Sequence, residues 1–189
     1  MLILGSSSIY RADLLRKLGL EFSQISPDID ETKQENETPN ALVYRLANLK
    51  AKKIATTNSG IIITSDQAAV IGNTILGKPH SKENAIKQLT KCSGKRVDFL
   101  TSICVLNTKD NTSQTIVDTF SVYFKQLTQS QIKNYIEIES PLNCAGSFKS
   151  EGLGIALFEK FEGEDPNSLI GLPLIKLIAM LENQGIAVL

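Results

Sequence analysis

The sequence predicts an α/β fold: short β-branched apolar runs alternate with segments whose apolar residues recur at helical spacing, and turn residues punctuate the changes. At 189 residues the chain suffices for a single domain, 1–189, so substructure is expected as two lobes around one cleft. With 42% hydrophobic and 21% charged residues, a disordered or fibrous chain is excluded.

Leu2 to Leu4 reads as a first strand ending at Gly5, and Leu14, Leu15 and Leu18 form a helical stripe that Gly19 stops. A second strand, Phe22 to Ile25, runs into the acidic PDIDET, where Asp28, Asp30 and Glu31 face a loop. Pro39 opens a helix to about Thr56 through Leu42, Leu46, Ala47 and Leu49, with Arg45 and Lys50 riding on it. The run Ile61 to Thr64 turns abruptly polar at Ser65-Asp66-Gln67, as expected of a buried strand whose end opens on a site. Residues 68–79 read as a hairpin turning near Gly72-Asn73. Ser81 caps a helix to about Lys91, two long strands follow around residues 109–111, and Thr128 with Gln131 marks a capping box. Gly171 to Gln184 closes the chain as one apolar helix.

Twenty basic and twenty acidic residues cancel, so no global field favours nucleic acid or anionic lipid, and the absence of tryptophan removes a basic aromatic surface. No stretch approaches the ~18 apolar residues of a membrane span and the start lacks a basic n-region, which gives a cytoplasmic expectation. Cys92, Cys104 and Cys144 form no CxxC pair and read as buried thiols. His80 is the only histidine, so any metal here would need oxygen ligands.

Four stretches carry candidate chemistry. Ser6, Ser7 and Ser8 lead into a helix carrying Arg11, which suits an oxyanion loop, although taken alone the serines read better as a plain N-cap at Ser7 or Ser8, since serine caps are common. Asp66 and Glu31 can hold a hard divalent cation through oxygen, whereas Asp66 alone could cap a turn. Lys50 and Lys78 suit a polyphosphate or, singly, an ordinary surface. The glycines of CAGSFKSEGLG suggest close approach of a ligand or a polar hairpin tip, with Lys149 and Glu151 flanking the turn.

In their order, GSSSxYR, DET, LK, SDQ, GKP, CAGSFKSEG and DPNSLIGLPL resemble the Maf family of nucleotide pyrophosphatases over nearly the whole chain. CAGSFKSEG, TSDQ and the aromatic before Arg11 look like its subgroup acting on 7-methyl-GTP. The resemblance implies an elongated Maf/ITPase-like fold with a central mixed sheet flanked by helices, a substrate cleft, often a homodimer, and a divalent metal, Mg2+ or Mn2+. It places the catalytic base at Asp66, and Glu31, Lys50, Lys78, Ser6, Ser7 and Arg11 in the polar cleft, with Glu31 and Asp66 toward metal. Tyr10, Gln67 and Glu151 match its base-selecting positions. Ala12 stands where many members have a second arginine and Ile9 where proline is common, which puts one phosphate contact in question. The leading expectation is hydrolysis of 7-methyl-GTP to 7-methyl-GMP and pyrophosphate. A dTTP/UTP pyrophosphatase, or a nucleotide-binding regulator of septum formation with little catalysis, stands as the alternative.

Overall fold

The structure, a computed structural model, describes residues 1–189. Strands β1 (Leu2–Gly5), β2 (Ser23–Ile25), β3 (Ile61–Ile71), β4 (Thr74–Leu76), β5 (Arg96–Asn107), β6 (Thr112–Phe124) and β7 (Phe158–Glu162) form one sheet. Its order is β2-β1-β3-β5-β6-β7, with β4 paired on β3. β1 runs parallel to β2 and β3, whereas β3 with β4 and β6 with β7 are antiparallel, so the sheet is mixed. The helices are α1 (Ile9–Arg16), α2 (Pro39–Ala55), α3 (Lys82–Cys92), α4 (Gln129–Glu139), α5 (Asn167–Ile170) and α6 (Leu174–Glu182). None is long and apolar enough to cross a membrane.

Residues 1–67, 101–118 and 165–189 make one compact unit, and 68–100 with 119–164 make a second. In the first, successive strand residues serve opposite faces, as the two-residue strand period requires. Leu2, Leu4, Ile63, Ile103 and Val105 pack with Leu14 and Leu15 of α1 and Leu174, Leu177 and Leu181 of α6. Ile3, Ile62, Cys104 and Leu106 pack on Ala47, Ala51 and Ile54 of α2. Each fully buried leucine or isoleucine contributes about 1.5–3 kcal/mol, so these two layers set where β1 and β3 deliver their C-terminal residues.

In the second unit α3 and α4 lie together, tied at the surface by Lys82 and Glu137 at 2.7 Å. Phe148 meets Phe99, Phe124 and Phe158 edge to face, with ring centroids 5.2, 5.8 and 4.8 Å away. Thr128 and Gln131 form the expected capping box, and Ser81 caps α3. Burial pushes the Cys92 thiol up to about 11, which makes it inert at neutral pH.

Two expectations are corrected. β3 does not end at Thr64 but continues through Ser65-Asp66-Gln67 to Ile71, because its polar side chains find main-chain partners: Thr64 donates to the Ala47 carbonyl at 2.7 Å and Ser65 to that of Gly171 at 2.8 Å. The closing helix is shorter than 171–184: Gly171 at φ +125° ends the separate short α5, Pro173 follows, and α6 runs only from Leu174 to Glu182.

Candidate active site

Lys50 lies on the buried face of α2 with Leu42, Val43, Leu46, Ala47, Ala51 and Ile54, and only 7% of its surface is exposed. A desolvated ammonium needs compensation. It has two carboxylates, with Asp66 Oδ1 at 2.6 Å and Glu31 Oε1 at 2.8 Å from Nζ. The trio carries a formal charge of minus one and brings oxygens from a strand and a loop to one point.

Each partner is held by its own element. The Asp66 N–H donates to Ser102 Oγ at 3.1 Å, and Ser102 Oγ donates to the Val43 carbonyl on α2 at 2.7 Å. Glu31 sits on the irregular segment between β2 and α2, which Arg45 clamps. Arg45 donates to both Glu37 oxygens at 2.6 and 2.9 Å and to the Thr32 carbonyl at 3.0 Å. That pairing draws the Glu37 carboxyl down to about 2. Asp28 and Asp30 are exposed, and a hydrogen bond from Thr32 lowers the Asp30 carboxyl.

At the serine loop, Ser8 is the N-cap of α1 and accepts the Arg11 N–H at 3.3 Å. Ser6 is buried and its hydroxyl accepts the Ser8 N–H at 3.1 Å, while Ser7 and Tyr10 are exposed. Arg11 donates from Nε to the Gly171 carbonyl at 2.8 Å and from Nη1 to the Ser65 carbonyl at 3.0 Å, leaving Nη2 uncommitted. Burial lowers the guanidinium below its ordinary value, against the attraction of Asp66 and Glu31. At Gly171 the backbone, at φ +125°, favours glycine, and a Cβ would stand 3.1 Å from Arg11 Nε, so the guanidinium would have to give way slightly. Ala12 is 1% exposed and packs in the core, so no phosphate contact comes from that position.

Gln67 directs its amide nitrogen at Thr101 Oγ1 (2.9 Å) and at the carbonyls of Ser168 (2.8 Å) and Leu169 (3.2 Å). Thr101 Oγ1 itself donates to the Ser168 carbonyl at 2.8 Å, so it must accept from Gln67 and the amide orientation is forced. With its donors engaged, Gln67 can offer a ligand only the acceptor Oε1.

Lys78 and Glu151 belong to the second unit. Both are exposed and both act on Cys144, whose thiol burial raises first, Glu151 raises further, and Lys149 and Lys78 oppose. At the glycines of KSEGLG the side-chain direction is filled from within the second unit. A Cβ at Gly152 would meet Glu139 Oε2 at 2.7 Å, and one at Gly154 the Lys149 carbonyl at 2.1 Å. Three contributors escaped the sequence reading: Arg45 as a clamp, Gly171 as an anchor, and Glu139. Lys50 had a legible signal, a lysine inside an apolar helical stripe; the others act across distances that no local spacing encodes.

Residues 1–184 match the Maf-like protein family. The chain belongs to the Maf family. This Maf-family chain is 55% identical over 186 residues to a 7-methyl-GTP pyrophosphatase of Alcanivorax borkumensis, covering 98% of this chain and 94% of that relative. It is 54% identical over 189 residues to one of Pseudoalteromonas translucida, with 100% and 94% covered. Against that of Vibrio vulnificus it is 51% identical over 188 residues, with 100% and 97% covered. Among solved structures, the Ham1 protein of Staphylococcus aureus superposes with a TM-score of 0.56 at 15% identity, covering 97% of this chain and 98% of that one. A HAM1 protein of Coxiella burnetii gives 0.54 at 16% identity, covering 96% and 98%. At those identities the likeness shows the fold, a mixed sheet flanked by helices.

Proposed function

We propose that this Maf-family chain hydrolyses 7-methyl-GTP to 7-methyl-GMP and pyrophosphate, removing a modified nucleotide from the pool. The observation that carries this reading is the Lys50 ammonium between Asp66 and Glu31, coupled electrostatically to Arg11, in a chain more than half identical to relatives named for that activity. Water adds to phosphorus at the α-β anhydride, the bridging P–O bond breaks, and pyrophosphate leaves. Asp66 takes the proton of the attacking water. Arg11, through Nη2, and Lys50 offset the phosphate charge that repels the nucleophile, and Lys78 is assigned the same task. Ser6, Ser7 and the N-terminus of α1 supply donors to phosphate oxygens.

The donor set suits a hard divalent cation, Mg2+ or Mn2+. Glu31 and Asp66 bring carboxylate oxygens to the same ammonium, Lys50 Nζ, at 2.8 and 2.6 Å, and oxygen is the donor such an ion takes. These two residues would hold the ion, which supplies Lewis-acid polarisation of phosphoryl oxygen when bound. For the base, N7 methylation makes guanine cationic, so the exposed Tyr10 ring attracts it by about 0.5–2 kcal/mol. Glu151 accepts from the guanine N1 and N2 donors, and Gln67 Oε1 adds a further acceptor. A cytoplasmic homodimer completes the reading, its dimer measurable by light scattering.

The test is pyrophosphate release from 7-methyl-GTP, GTP, dTTP and UTP with Mg2+, with Mn2+ and with chelator, for the wild type and Asp66→Asn. The expected result is preference for the methylated nucleotide, loss with chelator, and a fall of about 10²–10⁴-fold in Asp66→Asn. Preference for dTTP or UTP would discard the base assignment, and binding without turnover would discard the enzyme.

A further inference from the structure

Glu139 closes α4 and takes no part in the chemistry just described, yet it is the hub of the loop that carries Glu151. Its Oε2 accepts the Leu153 N–H at 2.8 Å, two residues after Glu151. Its Oε1 lies 3.4 Å from Lys149 Nζ, two residues before Glu151, and the Glu139 carbonyl accepts from the same ammonium at 2.7 Å. The Lys149 N–H is held independently, donating to the Tyr135 hydroxyl at 3.0 Å from the previous turn of α4. Gly152 leaves the carboxylate its place, since a Cβ there would stand 2.7 Å from Oε2. Glu139 is itself fixed, because α4 begins with a capping box and ends at Ser140 in the left-handed region, whose N–H bonds the Ile136 carbonyl. One largely covered carboxylate, 19% exposed, therefore grips both sides of an exposed one.

We propose that Glu139 is a positioning residue for base selection: by bracing residues 149–153 it fixes where the Glu151 carboxylate stands, and so how sharply one nucleobase is preferred over another. This rests on the assignment of Glu151 to the base. It predicts an effect on the choice among nucleotides and not on the hydrolytic step, since Glu139 belongs to the second unit whereas Asp66, Lys50, Glu31 and Arg11 belong to the first. Glu139→Gln keeps an acceptor for Leu153 but loses the charge facing Lys149. Glu139→Ala loses both. Gly152→Ala pushes on the same carboxylate from the loop side.

The experiment measures kcat and KM for 7-methyl-GTP, GTP, dTTP and UTP with wild type, Glu139→Gln, Glu139→Ala, Gly152→Ala and the Glu139→Ala/Gly152→Ala double variant. In Glu139→Ala the ratio of kcat/KM between best and worst nucleotide should fall about tenfold, through KM of the preferred one, with kcat held within about threefold. Glu139→Gln should lose less. Gly152→Ala should resemble Glu139→Ala, and the double variant should be no worse than Glu139→Ala, because removing the carboxylate relieves the clash. An unchanged ratio in Glu139→Ala, or an equal loss on all four nucleotides, overturns the proposal while leaving the 7-methyl-GTP reading intact. A wild type that prefers a pyrimidine refutes that reading, and the variants still decide whether Glu139 sharpens the preference. A wild type with no preference overturns both. Should Glu139→Ala fail to fold, Glu139→Gln and Gly152→Ala carry the same comparison.

Discussion

Two regions hold the side chains proposed to face substrate by opposite means. In the first unit, Arg11 and Gln67 hang on main-chain carbonyls of residues 168, 169 and 171. In the second, the loop bearing Glu151 hangs on a side-chain carboxylate, Glu139. A carbonyl cannot be titrated or substituted, and its place is specified by backbone shape; a carboxylate can be changed by one codon. Arg11 and Gln67 are thus held by backbone shape, while the loop bearing Glu151 is held by one substitutable side chain.

The largest effect that sharpens this contrast is expected at Lys50. Replacing it with Met leaves two carboxylates facing one another beside a desolvated arginine. Activity should fall at least about 100-fold and stability by about 3–5 kcal/mol, read from pyrophosphate release and urea unfolding. Next comes Gly171→Ala. Strain at φ +125° costs about 1–3 kcal/mol, and the new methyl crowds Arg11 Nε, so KM should rise about tenfold for every nucleotide alike. A change confined to one base would break the assignment of Arg11 to phosphate. The smallest effect concerns Glu37, which shows that the first unit also uses a charge-held loop. Its carboxyl is depressed from the ordinary 4.5 to about 2, so its contribution to stability is present above 4.5 and lost as pH falls through about 2. Urea midpoints of wild type and Glu37→Gln should therefore converge between pH 5 and 2. If they stay parallel, the Arg45 clamp does not hold the Glu31 loop.

What the sequence discloses follows the range of the interactions. Strand and helix periods, the caps at Ser81 and Thr128 and the turn at Gly72-Asn73 depend on residues within a few positions, and they were legible. Lys50 and Asp66 were legible because each breaks an apolar pattern. The continuation of β3 was not, because Thr64 and Ser65 depend on carbonyls 17 and 106 residues away. Nor were the roles of Gly152 and Gly154. Their missing side chains make room for Glu139 and for the loop's own carbonyl, and a glycine in a sequence does not state what approaches it.

The bond from Arg11 to the Gly171 carbonyl spans 160 residues, and Ser65 reaches the same oxygen. During synthesis the serine loop, Lys50 and Asp66 all leave the ribosome well before residue 171. A nascent chain holding them lacks the atom on which the Arg11 guanidinium hangs, so that anchoring waits for a single late peptide carbonyl.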